Sequence, residues 1–221
     1  MPALASVLPQ YDIVVVADAD AIFRHLYLPY EFLLNRWGIT PQTSFAMPLD
    51  VAWDTKSNTS LGYTNNRFGE VNPNNGFITA LNLPRTFEML HAWNDCPDEP
   101  NRFPGCDRFR GHWPADQGAF GEYIRYEFGR STDFHAFSCD DAVGFPWQDS
   151  ECRGVFIRHF TTWKDGVKGG VADSVLTPIL GMAQQGILGS MVDRTSNEMW
   201  TTVGSEREIG RSRKSWMTWW S

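Results

Sequence analysis

The sequence predicts an α/β fold with a mixed sheet flanked by helices, and three observations predict it. Two short apolar runs, Ile13 to Val16 and Gly76 to Leu81, have the length and composition of buried strands. Segments with helical spacing alternate with such runs, and no internal repeat interrupts them. At 221 residues, 42% hydrophobic and 20% charged, the chain has material for one globular domain with a sizeable core, or for a large fragment of one. The expectation is a domain over residues 1–188 and a poorly ordered tail over 189–221, polar at first and ending in SWMTWWS.

The first element is a strand at Ile13 to Val16, whose four consecutive apolar residues suit burial on both faces of a largely parallel sheet. Pro29 then opens a helix, PYEFLLNRW, that Gly38 closes, and Thr43 to Met47 reads as a short strand. Residues 50–75, rich in Asn, Ser, Thr and Gly, read as a long loop, and such loops inside compact domains are usually functional or mobile. The strand GFITAL follows, then a helix from Pro84 to about Asn94 with Phe87, Leu90 and Trp93 at helical spacing. Pro114 opens a third helix, PADQGAFGEYIRYEF. Strands are expected at Asp133 to Phe137 and Val155 to Phe160, and a last helix from Ala172 to about Ile187.

Composition excludes some functions. A formal net charge of -7 and a pI near 5.2 argue against a nucleic-acid surface, which needs clustered Lys and Arg. No run reaches the roughly eighteen apolar residues of a membrane helix, and the first ten residues lack a signal peptide's basic start. Cys96 and Cys106 bracket one loop, and Cys139 and Cys152 another. These spacings are too wide for a zinc knuckle and read as disulfide staples, with four free thiols as the alternative. A sequon at Asn58-Thr59-Ser60 agrees with a secretory compartment. Ten tryptophans and fifteen phenylalanines fit a core, and exposed rings of this kind also stack on sugars.

The chemistry begins where the first strand ends. Asp18 and Asp20 follow it, and an extended chain would point both to one side, with Ala19 on the other. Two carboxylates so placed repel each other unless a cation compensates, and hard oxygen ligands suit Mg²⁺ or Mn²⁺ carrying a diphosphate. The plain alternative is that both acids cap a helix starting near Ala21. Asn74-Asn75-Gly76 precedes a buried strand, where amides suit sugar hydroxyls and Gly lets a ligand approach; a simple Asn-Gly turn is the alternative. Asp116 and Gln117 stand in the first turn of a helix, where an acid also complements the dipole. His159 ends a strand and offers an imidazole nitrogen to the ion of the two carboxylates, unless it is structural; Lys164 follows as a point charge for a diphosphate.

Taken in order, ADADAIF, NNGFI, WPADQGAFGEYIRY and FIRHFTTWKD resemble the nucleotide-diphospho-sugar transferases of fungi, related to the α-1,2-galactosyltransferase and xyloglucan xylosyltransferase family. The resemblance covers about residues 11–180, including LPYEFLLNRWGITP and CPDEPNRFPGC. It implies a GT-A fold, Rossmann-like, and transfer of a sugar with retention from a nucleotide-sugar donor to a glycan or glycoprotein acceptor. It also implies a divalent ion, usually Mn²⁺, and a place in the Golgi lumen. Carried over, Asp18 and Asp20 match the DxD motif and His159 the late metal ligand. Lys164 matches a phosphate contact, and Asn75 and Gly76 the segment near donor and acceptor sugars, where relatives commonly show NTGF. Asp116 and Gln117 match the acid-amide pair facing the reacting sugar, with Asp116 as the catalytic candidate.

Only seventeen residues precede Asp18, against about 30 for a complete βαβ unit. The expectation is therefore a domain lacking the N-terminal nucleotide-binding strands, with an exposed sheet edge in their place. Two rivals to a transferase follow from the same residues: a truncated or degenerate relative that binds a glycan or partner without turnover, and a metal-dependent phosphodiesterase.

Overall fold

A computed structural model describes residues 1–50, 65–112, 114–144, 152–161 and 164–195, with side chains up to 188. Two compact units divide the chain, Met1–Pro178 and Ile179–Ser221.

The first unit is built on an open four-stranded mixed sheet in the order β1 (Ile13–Ala17), β4 (Phe77–Leu81), β3 (Phe45–Pro48), β5 (Phe134–Phe137). β1 pairs antiparallel with β4. β4 pairs antiparallel with β3, which pairs parallel with β5. The mixed sheet is as expected, but β1 is a half-buried edge strand and not a fully buried strand among parallel neighbours. The reason lies in what an apolar run reports, namely cover on both faces whatever the strand direction. Side chains alternate between two cores. Val14, Val16, Ile78, Ala80, Phe45 and Met47 face one, while Val15, Phe77 and Ala46 face the other.

The first core is closed by α1 (Pro2–Val7) through Leu4, by α3 (Pro84–Asp95) through Met89, Leu90 and Trp93, and by the segment after Pro114 through Phe120 and Ile124. That segment is α4 (Ala115–Ala119), a π-helical turn over Phe120–Ile124, and α5 (Arg125–Glu127). The second core takes Leu33 and Trp37 from α2 (Tyr30–Arg36) and its C-cap, with Trp37 stacked on Phe137 at 4.3 Å. Both described tryptophans, Trp37 and Trp93, are core residues; the other eight lie outside the described residues. Both disulfide pairs form as expected, Cys96 to Cys106 and Cys139 to Cys152.

A separate ribbon positions the site. β2 (Ala21–Phe23) pairs antiparallel with β6 (Ile157–His159), so Ala21 faces His159. A strand at Ala21 removes the helix that Asp18 and Asp20 were to cap. Between the strands of the second disulfide loop lies α6 (Cys139–Ala142), whose flanking Val143 carbonyl accepts from His159 N at 2.7 Å. α7 runs from Gly166 to Thr195, longer at both ends than the helix expected over 172 to 187, and places 189–195 of the expected tail in a helix. Gly170 lies against Phe160 and Ile22, where a side chain would have to displace one of them. In the second unit Ile179, Leu180, Met182, Ile187 and Leu188 are exposed on this helix. No described helix is long and apolar enough to cross a membrane. The sequon and the rest of the tail lie outside the described residues.

Two ion pairs make stability depend on acid. Asp133, almost fully buried, resists ionisation by its burial, but the two-pronged Arg85 guanidinium at 3.0 Å outweighs this and holds its carboxyl below the usual range. Arg153 does the same for Asp140, to about 2. A carboxyl depressed in the fold adds stability that is complete above its ordinary pKa of 3.8 and is lost as pH falls through the folded value. Urea midpoints are expected to stay level near neutral pH and then fall between about pH 4 and 2. A smaller fall in Arg85→Met would locate the effect.

Candidate active site

The site is assembled by a turn and a ribbon. β1 ends at Ala17, where Asp18 N donates to Gly76 O at 2.8 Å and so prolongs the ladder with β4. The chain then turns, with Ala21 N donating to Asp18 O at 2.9 Å. Asp18 and Asp20 therefore share a side through this turn and not through extended alternation. Phe160 N donates to Asp20 O at 2.9 Å, which locks the turn to the far strand of the ribbon.

His159 closes the group. Its Nε2 lies 3.2 Å from Asp20 Oδ1 and 3.4 Å from Asp18 Oδ2, and ligand atoms of the three residues lie within 4.8 Å of one another. Asp20 and His159 are buried, while the Asp18 side chain is 58% exposed. The spacing fits a common ion, since ligands about 2.1 Å from a metal stand about 3 Å apart at right angles. Two carboxylates suit a hard divalent ion and one imidazole a first-row transition metal, a combination that manganese accepts with coordination positions left for substrate oxygens. Lys164, exposed over most of its length, places Nζ 3.0 Å from Asp20 Oδ2. Burial raises the pKa of Asp20, but the Lys164 hydrogen bond and the charges of His159 and Lys164 outweigh it, so the carboxyl sits below its usual range.

Gly76 is the floor under His159. A Cβ at this position would overlap the imidazole Cε1 and crowd its Nδ1 and Asn74 Oδ1, so only glycine lets the ring lie where it does. The turn before it is held by Asn74, which is buried and accepts from Gly76 N at 3.0 Å. Asn74 Nδ2 donates to Asp50 Oδ1 at 3.2 Å, and Gln117 Nε2 donates to Asp50 Oδ2 at 2.8 Å. Asp50 and Gln117 are both buried.

The structure thus brings together Asp18, Asp20, His159, Lys164 and Gly76, and links Gln117 to them through Asp50 and Asn74. Asn75 is half-buried between Asn74 and Gly76. Asp116 is exposed, and its carboxylate turns back to accept from Gln117 N at 3.1 Å. Trp93 Nε1 holds the Asp116 carbonyl at 2.9 Å. Ala115, just before this pair, has φ of 45°, a left-handed conformation that costs a non-glycine residue energy and is kept where the surroundings enforce it.

Asp50 is a residue that the sequence reading missed; Asn74 was read with Asn75 and Gly76 as facing a ligand, whereas its side chain supports the Gly76 turn and meets Asp50. The available signal for Asp50 was its position two residues beyond a buried strand, much as Asp18 stands just beyond β1.

No protein-family profile matches the chain, and no curated protein matches it in sequence. Among solved structures it is similar to a crystal structure of a glycosyltransferase involved in the glycosylation of the major capsid of PBCV-1. The TM-score is 0.49 at 11% identity, over 77% of this chain and 70% of that one.

Proposed function

We propose that the chain is a metal-dependent glycosyltransferase that moves a sugar from a nucleotide-diphosphate donor to a glycan or glycoprotein acceptor with retention, as the fungal transferases it resembles do. One observation carries the reading. Asp20 and His159, 139 residues apart, converge with Asp18 on one point, with the Lys164 ammonium beside them.

In this reading Asp18, Asp20 and His159 hold Mn²⁺ or Mg²⁺, which when bound neutralises charge developing on the departing diphosphate. The chain's own groups do the rest. Asp20 stays ionised because Lys164 and His159 favour its charged form. Lys164, on a long exposed stem, is free to turn its ammonium toward a phosphate oxygen. The resemblance gives the remaining roles: Asn75, Gly76 and Gln117 would stand near the sugars, and Asp116 would be the carboxylate that stabilises positive charge at the anomeric carbon. Two disulfides agree with an oxidising compartment, and the Golgi lumen is the location we propose.

Calorimetric titration with UDP-sugars and GDP-mannose, with and without Mn²⁺, tests this. Binding of one donor only when Mn²⁺ is present, abolished in Asp18→Asn/Asp20→Asn, is the expected result. Binding of a donor that ignores both the metal and the double substitution would refute it.

A further inference from the structure

We infer that Asp50 is a positioning residue for this site, acting through Asn74 and Gly76 on His159; the inference rests on the reading of the site as a metal-dependent transferase centre. Asp50 lies two residues beyond β3 and is 7% exposed. Its backbone is fixed as well as its side chain, since Asp50 N donates to Asn72 O and Asn74 N to Pro48 O, both at 2.8 Å.

The chemistry of a carboxylate explains why this residue is an acid. An ionised carboxylate only accepts hydrogen bonds, whereas an amide presents a donor on one side and an acceptor on the other. With Asp50 between them, Asn74 and Gln117 must both turn their NH₂ groups inward. Asn74 is then left with its carbonyl pointing at Gly76 N, the bond that seats Gly76 under the imidazole. Gln117 keeps its own carbonyl for a ligand. One buried charge therefore sets the orientation of two amides and, through one of them, the support of a metal-binding histidine.

Asp50→Asn keeps the shape and breaks the logic. The new amide keeps its carbonyl on Gln117, the shorter of the two bonds, and confronts Asn74 with NH₂ against NH₂, so Asn74 has to flip and give up Gly76 N. Two readouts follow it: hydrogen exchange at the Gly76 amide, by NMR on the metal-free protein, and the affinity for Mn²⁺ alone, by calorimetry. Exchange is expected to speed up at least about tenfold and Mn²⁺ affinity to fall about tenfold, the range found when groups supporting a ligand are altered.

The rescue separates orientation from mere structure. In Asp50→Asn/Gln117→Glu the introduced amide gives its carbonyl to Asn74 and its NH₂ to the introduced carboxylate. Both hydrogen bonds and the net charge return, and both readouts are expected to recover to within about threefold. Asn74→Ala breaks the chain at its next link and should reproduce the single variant, with no further loss when the two are combined. Unchanged Gly76 exchange in Asp50→Asn and in Asn74→Ala would overturn the inference, as would a double exchange that rescues nothing. Wild-type protein that binds no Mn²⁺ would instead sink the metal reading above, while Gly76 exchange still decides the role of Asp50.

Discussion

Gly76→Ala is expected to weaken Mn²⁺ binding about ten- to a hundredfold in a protein that remains folded. The added methyl falls on the imidazole of His159 and on Asn74 Oδ1, and neither neighbour has an easy way out. Asn74 is tied to Asp50, and the His159 backbone is fixed by its pairing with Ala21 and by the bond to Val143. The ring must therefore rotate, which carries Nε2 away from Asp18 and Asp20. Overpacking of this kind costs about 1–3 kcal/mol, within the reserve of an ordinary domain. Calorimetric titration with Mn²⁺ beside a urea unfolding curve separates the two effects. A folded variant with wild-type Mn²⁺ affinity would show that His159 is not a ligand.

The largest loss of stability is expected from Gly144→Ala, on the order of 3 kcal/mol or more. Gly144 has φ of 40°, and its Cβ would overlap Gly154 N and the backbone of Arg153. These are main-chain atoms, so no rotamer relieves the clash. Gly154 is equally confined, with φ of 61° and Ile157 O at 2.7 Å from its own Cβ position. The Gly144–Gly154 contact therefore seats the chain entering β6, and pushing it apart shifts the strand that carries His159. A melting temperature lower by roughly 6–12 °C is the corresponding reading for a protein of this size. Gly169→Ala is the control, since its Cβ meets open space in a helix and should gain about 0.5–1 kcal/mol. A Gly144→Ala protein as stable as wild type would refute the account.

Much of the architecture was legible because both faces of the sheet are covered. GFITAL and the Val run stand out for that reason, and Phe87, Leu90 and Trp93 mark α3 by their spacing. The same cover hid strand direction, since an apolar run between two layers looks alike in parallel and antiparallel sheets. β2 was hidden by its length, as three residues carry no periodicity and the acids before them also suit a helix cap. Of the site, the paired aspartates were readable from their place beyond a strand, and the cysteine pairs from their spacing. His159 was readable only as one of two alternatives, a ligand or a structural residue, because a lone strand-end histidine has many ordinary uses. The dependence of His159 on Gly76, and of Gly76 on Asp50, is a relation among packed atoms that no local pattern records.

The ribbon of β2 and β6 has a kinetic consequence. Ala21 meets His159 only after the chain between them has closed into a loop, with Asp20 and His159 separated by 139 positions. Closing so long a loop is entropically costly and gains its compensation late, when the rest of the unit is in place. The atoms of Asp18, Asp20 and His159 are therefore expected to come together late in folding, and a chain still short of His159 cannot assemble them. An ion that recognises only the finished arrangement adds stability by mass action, about 2.7 kcal/mol at a hundred times its Kd. Metal supply would act as a checkpoint, favouring chains that have completed the ribbon over those stalled before it.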